Sequence, residues 1–189
     1  MIEVVEAQVK ARVGEYIYAV DDENMEEVVA KLLKDNCLTV ACAESCTGGM
    51  LASRLTSISG SSMYIKGSIV TYSNEAKMKF LDVDKEILDT KGAVSPEVAK
   101  QMAEGVRKAV GSDIGVGITG IAGPTGGTDK KPVGLVYIAV AGKDNTVVKE
   151  NIFSGDRARV RYRSTQQALE MIRQYIKNKY GLYFFDMKK

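Results

Sequence analysis

The chain has 189 residues, 45% of them hydrophobic, and 26 basic against 24 acidic side chains give it a net charge of +2; that suffices for the core of one domain, or one with an appendage, and leaves no electrostatic footprint for nucleic acid. It contains no histidine, which excludes Ser-His-Asp and Cys-His catalytic arrangements and deprives any zinc site of a usual ligand. Cys37, Cys42 and Cys46 form no C-x-x-C pair and read as reduced thiols, no apolar run approaches the ~20 residues of a membrane-spanning helix, and the start lacks a signal-peptide pattern, so a cytoplasmic protein without a metal or a membrane partner is expected.

In chain order, Ile2 to Val13 reads as an amphipathic helix and Tyr16 to Val20 as a short strand, together an N-terminal arm over residues 1–21. Asp21-Asp-Glu-Asn24 supplies acids and a cap for a helix from Met25 to Leu33. The apolar run from Leu38 breaks into Glu44-Ser-Cys-Thr-Gly-Gly49, and Met50 to Ile58 resumes at helical spacing. That is the pattern of a buried strand, a tight loop and a helix, a place where backbone N–H groups and the helix dipole gather round an anion. Gly60 to Gly67 reads as a turn into a short helix and Ser68 to Tyr72 as a strand. A helix to Leu81 follows, capped by Ser73 or Asn74. A short helix spans Lys85 to Thr90, and Ser95-Pro96-Glu97 starts another that runs to about Val110.

Asp113 to Ile118 is a further buried strand, leading into a second glycine loop that ends at Gly127. Gly134 to Ala141 and Thr146 to Phe153 read as strands joined by Gly-Lys-Asp-Asn, a hairpin composition, and Ser154-Gly-Asp-Arg157 opens a final helix to about Lys179. Strands alternating with helices and then a hairpin predict an α/β fold: a three-layer α/β/α sandwich around a mixed β-sheet, with the domain over residues 22–180 and a tail over 181–189. Two glycine loops at strand ends suggest one ligand site between them.

Without histidine, hydrolytic chemistry needs another base. Lys77 lies on the first turns of a helix that starts at a strand end; an exposed lysine is the ordinary case, and a base must be neutral, which takes burial or a nearby cation. Two serines compete as nucleophile, Ser45 in the first glycine loop and Ser62 after Gly60-Ser61, and capping explains either as well as catalysis does. Arg157, Arg159, Arg161 and Arg163 crowd the first turns of the last helix, where the dipole disfavours cations. Arg157 and Arg161 share a face and read either as a solvated basic turn or as a phosphate clamp.

Ala43-Glu-Ser-Cys-Thr-Gly-Gly49, Val70-Thr-Tyr-Ser-Asn-Glu-Ala-Lys77, Gly92-Ala-Val-Ser95, Thr119-Gly-Ile-Ala-Gly-Pro124, Lys131-Pro-Val-Gly134 and Phe153-Ser-Gly-Asp-Arg157, in this order, resemble the C-terminal domain of the competence/damage-inducible CinA family over about Asp22 to Ile176. Residues 2–20 resemble the segment that joins this domain to the preceding part of longer CinA proteins, so a C-terminal piece of one is expected. The resemblance implies hydrolysis of nicotinamide mononucleotide to nicotinic acid mononucleotide and ammonia, without a cofactor, in a homodimer, by a serine–lysine pair. Carried over, the pair falls on Ser62 and Lys77, with Tyr72, Thr119 and Arg157 in support and Ser45 as second choice of nucleophile. The expected substrate contacts are Thr47, Gly48, Gly49, Asn74, Thr119, Gly120, Gly123, Arg157 and Arg161, with the phosphate on the loop at Thr47 to Gly49 or against the two arginines.

Overall fold

The structure, a computed structural model, describes residues 2–19 and 22–180. Five strands form one mixed sheet: β1 (Val40–Glu44), β2 (Ile65–Val70), β3 (Ile114–Gly120), β4 (Leu135–Ala141) and β5 (Thr146–Ile152), in the spatial order β2-β1-β3-β4-β5. β1 runs parallel to both neighbours, while β3, β4 and β5 pair antiparallel. The hairpin read from Gly-Lys-Asp-Asn therefore forms, and it lies beside β3 rather than standing apart.

Among the described residues there are seven helices, α1 (Ile2–Val13), α2 (Met25–Asp35), α3 (Met50–Thr56), α4 (Asn74–Leu81), α5 (Lys85–Lys91), α6 (Pro96–Val110) and α7 (Arg157–Tyr180), of which α2 to α7 form the layers on the sheet. The caps follow the sequence. Asn24 and Glu27 close a reciprocal capping box on α2, Ser73 rather than Asn74 caps α4, and Ser95 caps α6 with Pro96 at its first position. β1 is buried on both faces, and its alternation divides the core. Val40 and Cys42 face the layer of α2, α3 and α7, whereas Ala41 and Ala43 face the layer of α4, α5 and α6. Arg54 of α3 fastens the first layer, bonding Glu26 of α2 and Thr165 and Gln166 of α7.

Three expectations are corrected. The strand expected at Tyr16 to Val20 does not form over Tyr16 to Ala19: Gly14–Tyr16 is a single 3-10 turn, and Tyr18 and Ala19 pack on the core as side chains instead of pairing with a sheet edge. Val20 lies outside the described residues, as does the tail 181–189. α1 forms, but Ile2, Val4, Val5, Val9 and Val13 stay exposed, so its apolar residues make no buried face. β2 starts at Ile65 and ends before Tyr72, because half-buried Ile65, Gly67 and Ile69 alternate with exposed Lys66, Ser68 and Val70 along an edge strand.

α6 lies very close to the sheet, and glycine makes the approach possible. A Cβ on Gly117 of β3 would collide with the Ala99 carbonyl oxygen and come within 2.7 Å of the Ala103 nitrogen, both backbone atoms of α6. Gly117→Ala is therefore expected to destabilise the fold by about 3 kcal/mol through overpacking, read as a lower urea midpoint at unchanged m-value.

Candidate active site

Three strand ends meet at the carboxyl edge of the parallel part of the sheet. The chain leaves β1 toward β2 on one side, whereas it leaves the adjacent β3 toward β4 on the other, and the crevice at such a reversal is the usual ligand site of an open α/β sheet. Pairing continues past the strand ends. The Ser45 N–H donates to the Ile118 carbonyl at 3.0 Å and the Thr71 N–H to the Glu44 carbonyl at 2.9 Å, which clamps Glu44-Ser45 from both sides.

The alternation of β1 then decides which layer each side chain meets. Glu44, in phase with Val40 and Cys42, turns toward α3; Ser45, in phase with Ala41 and Ala43, turns toward α4, where Lys77 projects. Lys77 is 1% exposed. Its Nζ donates to the Thr71 carbonyl at 2.7 Å and lies 3.2 Å from Ser45 Oγ. Burial lowers its pKa below the ordinary lysine value, with the neighbouring Cys46 acting weakly in the opposite direction. A neutral amine held in this way can give one N–H to the Thr71 carbonyl and offer its lone pair to the serine proton. Ser45 itself is partly exposed, as an attacking hydroxyl must be.

Ser62 is not brought to Lys77. It sits, exposed, on the 3-10 turn Ser61–Met63 ahead of β2, and Lys77 follows the far end of that strand. The register pairs Ile65 with Val40, at the start of β1, and Val70 with Glu44, at its end. Ser62 and the dyad therefore lie at opposite edges of the sheet, roughly 20 Å apart along a six-residue strand. The serine that meets the lysine is the one in the first glycine loop.

The phosphate cradle expected at Thr47 to Gly49 is also altered. The Glu44 carboxylate, fully buried, accepts from the backbone N–H groups of Gly49 at 3.0 Å, Leu51 at 3.1 Å and Ala52 at 2.9 Å, and the Gly48 N–H goes to the Ser45 carbonyl at 3.1 Å. The start of α3 thus already holds an anion of the protein's own. Gly48 and Gly49, at φ of 60° and 89°, make the left-handed turn that folds this loop back over Glu44. Local sequence carried a signal for this: a lone acid closing an apolar strand just before a glycine turn and a helix. Thr71 went unnoticed because it contributes its carbonyl, which has no side-chain signature.

The basic cluster of α7 divides into two faces. Arg161 Nη2 donates to the Thr47 carbonyl at 2.7 Å, and Arg157 donates through Nη1 to the Gly123 carbonyl at 2.9 Å and through Nη2 to the Tyr72 hydroxyl at 3.1 Å. These two frame the crevice and tie both glycine loops to the end of β2. Arg163 turns away to Ser154, and the Arg159 N–H is bonded to the Asp156 side chain. Thr119 is buried and donates to the Ala93 carbonyl at 2.7 Å, while Lys131 fastens the same 91–94 segment by donating to the Lys91 and Val94 carbonyls. Asn74 is exposed on the first turn of α4, Gly120 ends β3, and Gly123 is buried beneath Arg157. Three buried polar atoms at this edge, Thr47 Oγ1, Thr71 Oγ1 and Arg161 Nε, have no hydrogen-bond partner within the protein.

Cys46, next to Ser45, is kept out of the chemistry as a thiolate. Burial above all, with Glu44 adding to it, pushes its pKa up to about 11, and Cys42 is shifted up in the same way. The hydroxyl beside Lys77 is the nucleophile this arrangement can activate.

Residues 22–176 match the model of the CinA C-terminal domain. The chain belongs to the CinA family. It is 53% identical over 95% of its length to a competence-damage inducible protein of Caldanaerobacter subterraneus and 49% identical over 92% to a CinA-like protein of Kosmotoga olearia. It spans about 43% of the first of these relatives and 42% of the second. Among solved structures, the competence/damage inducible protein CihA of Agrobacterium tumefaciens superposes with a TM-score of 0.77 at 38% identity, covering 84% of this chain and 99% of that one. A CinA superfamily protein of Escherichia coli gives 0.77 at 31% identity, covering 86% and 98%. The α/β/α sandwich is thus the fold of the CinA family. No helix among the described residues is long and apolar enough to cross a membrane.

Proposed function

We propose that this CinA domain hydrolyses the carboxamide of nicotinamide mononucleotide to nicotinic acid mononucleotide and ammonia, with Ser45 as nucleophile and Lys77 as base. One observation carries the reading: in a chain without histidine, a buried lysine with a lowered pKa lies 3.2 Å from a partly exposed serine at the ligand crevice of the sheet.

Lys77, neutral, takes the Ser45 proton as Oγ bonds to the carboxamide carbon and the carbonyl electrons move onto oxygen. Backbone N–H groups at the crevice stabilise the oxyanion, other than those of Gly48 and Gly49, which Ser45 and Glu44 already engage. As it collapses, the C–N bond breaks, and the Lys77 ammonium returns its proton to the departing nitrogen, which leaves as ammonia. Water then attacks the acyl-enzyme, giving its proton to Lys77, and Ser45 leaves with that proton to release the acid. Since Glu44 holds the start of α3, the substrate phosphate falls to Arg157 and Arg161, whose planar forks suit it.

Ammonia release from nicotinamide mononucleotide, nicotinamide, its riboside and NAD tests the reading. The mononucleotide is expected to be preferred over nicotinamide and the riboside by at least about 100-fold in kcat/KM, the worth of a charge-assisted phosphate clamp of ~3 kcal/mol. Preference for another amide would assign a different amidase, and binding of the mononucleotide without ammonia release would make this domain a nucleotide-binding module.

A further inference from the structure

The best-defined polar group beside the dyad takes no part in the steps above. Glu44 is fully buried, and among the described residues no lysine or arginine forms a salt bridge with it; its two oxygens are met instead by three backbone N–H groups. Such a burial is costly unless the donors compensate it, and here they do so through the positive end of α3. All three donors lie in Gly49 to Ala52, on the far side of the turn that carries Ser45. The turn is anchored on one side by the β1 backbone; beyond Ser45 it is held by this carboxylate, the Gly48 N–H bond to the Ser45 carbonyl, and the bonds of the Met50 N–H and of Arg161 to the Thr47 carbonyl, and of these the carboxylate alone comes from the residue next to the serine.

Within the proposed Ser45–Lys77 reading, we propose that Glu44 is the positioning residue of the nucleophile. Its side chain and that of Ser45 leave adjacent residues of one clamped strand end in opposite directions, so the bonds Glu44 makes under α3 set how far Ser45 is presented toward α4. Lys77 is independently fixed by the Thr71 carbonyl. The 3.2 Å separation therefore depends on the β1 side of the dyad holding its place. A glutamine at position 44 keeps the size but points an amide N–H₂ at backbone donors, so at least one of the three bonds is lost and a buried N–H is left unpaired. The loop then relaxes, and Ser45 moves relative to a lysine that does not.

The test is Glu44→Gln, purified and shown to be folded by circular dichroism, with two readings. Kinetics with nicotinamide mononucleotide are expected to show kcat reduced 30-fold or more with KM within threefold, since the arginines that hold the phosphate are untouched. A crystal structure is expected to show Ser45 Oγ more than 4 Å from Lys77 Nζ. Either a kcat within threefold of the parent or a retained hydrogen-bond distance overturns the proposal. If the parent protein releases no ammonia from the mononucleotide, the functional reading falls, and the distance in the variant still decides the positioning role. Should Glu44→Gln fail to fold, Glu44→Asp, which keeps the charge but shortens its reach by a methylene, carries the same two readings with a kcat loss of tenfold or more.

Discussion

Ser45→Ala is expected to lower kcat/KM for nicotinamide mononucleotide by about 10³-fold or more, Lys77→Met by a similar factor, and the double variant by scarcely more than either. The physical reason is that the two act as one device: a serine hydroxyl without a base is a poor nucleophile, and a neutral lysine without the serine has nothing to activate. The lost stabilisation corresponds to ~4 kcal/mol of barrier. Ser62→Ala is expected to leave the rate within twofold, because that hydroxyl sits at the other edge of the sheet. Discontinuous ammonia assays on folded variants decide the matter. Equal losses in Ser62→Ala and Ser45→Ala would sink the assignment, as would a Lys77→Met variant retaining a tenth of the parent rate.

The second large effect is on pH. Lys77 must be neutral to take the serine proton, and burial has moved its pKa below 10.5. The rate is therefore expected to rise tenfold per pH unit below that lowered pKa and to level off above it, a span of about 100-fold over two units. The absence of any ascending limb at pH values up to 10.5 would exclude Lys77 as the base. Stability follows with a definite sign. The unfolded lysine holds its proton up to about 10.5, while the folded one gives it up earlier, so between the two values unfolding takes up a proton. The parent gains stability as pH rises through that window. Below the folded pKa the desolvation cost of the buried ammonium is fully present. Lys77→Met has no such dependence, so the stability of the parent relative to the variant is expected to improve as pH approaches 10.5, measured by urea unfolding at each pH.

Much of this was legible in one dimension. Asn24, Ser73 and Ser95 announced their helices because capping is a local matter of a side-chain oxygen and an N–H two or three residues on. The Gly-Lys-Asp-Asn turn announced the hairpin, and the apolar runs at Val40 and Ile114 announced two buried strands, though not their parallel pairing. Where local signals were weak, the reading slipped. Gly67 and Lys66 concealed the start of β2, and Tyr16 to Val20 has strand composition but no sheet edge to join. The crowding of arginines at the start of α7 asked for an anion nearby; within the protein, two of them meet backbone carbonyls and the Tyr72 hydroxyl instead and bridge both glycine loops.

By itself the sequence determined the α/β/α class, where most of the helices start, the absence of any histidine base and the presence of Lys77 at the head of a helix that begins at a strand end. It could not rank Ser45 against Ser62, since both follow or precede glycine turns and both could cap a helix. The tertiary structure decided which of the two lies beside Lys77 through one long-range fact, the parallel register of β1 and β2. This register sets the end of β1 beside the start of α4 and sends Ser62 to the opposite edge. The same register, with the two-residue alternation of β1, turned the acid of the opening glycine loop under α3 and the serine toward the lysine. An anion site that the loop appeared to offer to a ligand is filled from within, because a carboxylate one residue from the turn reaches the helix N–H groups with no entropy of association to overcome.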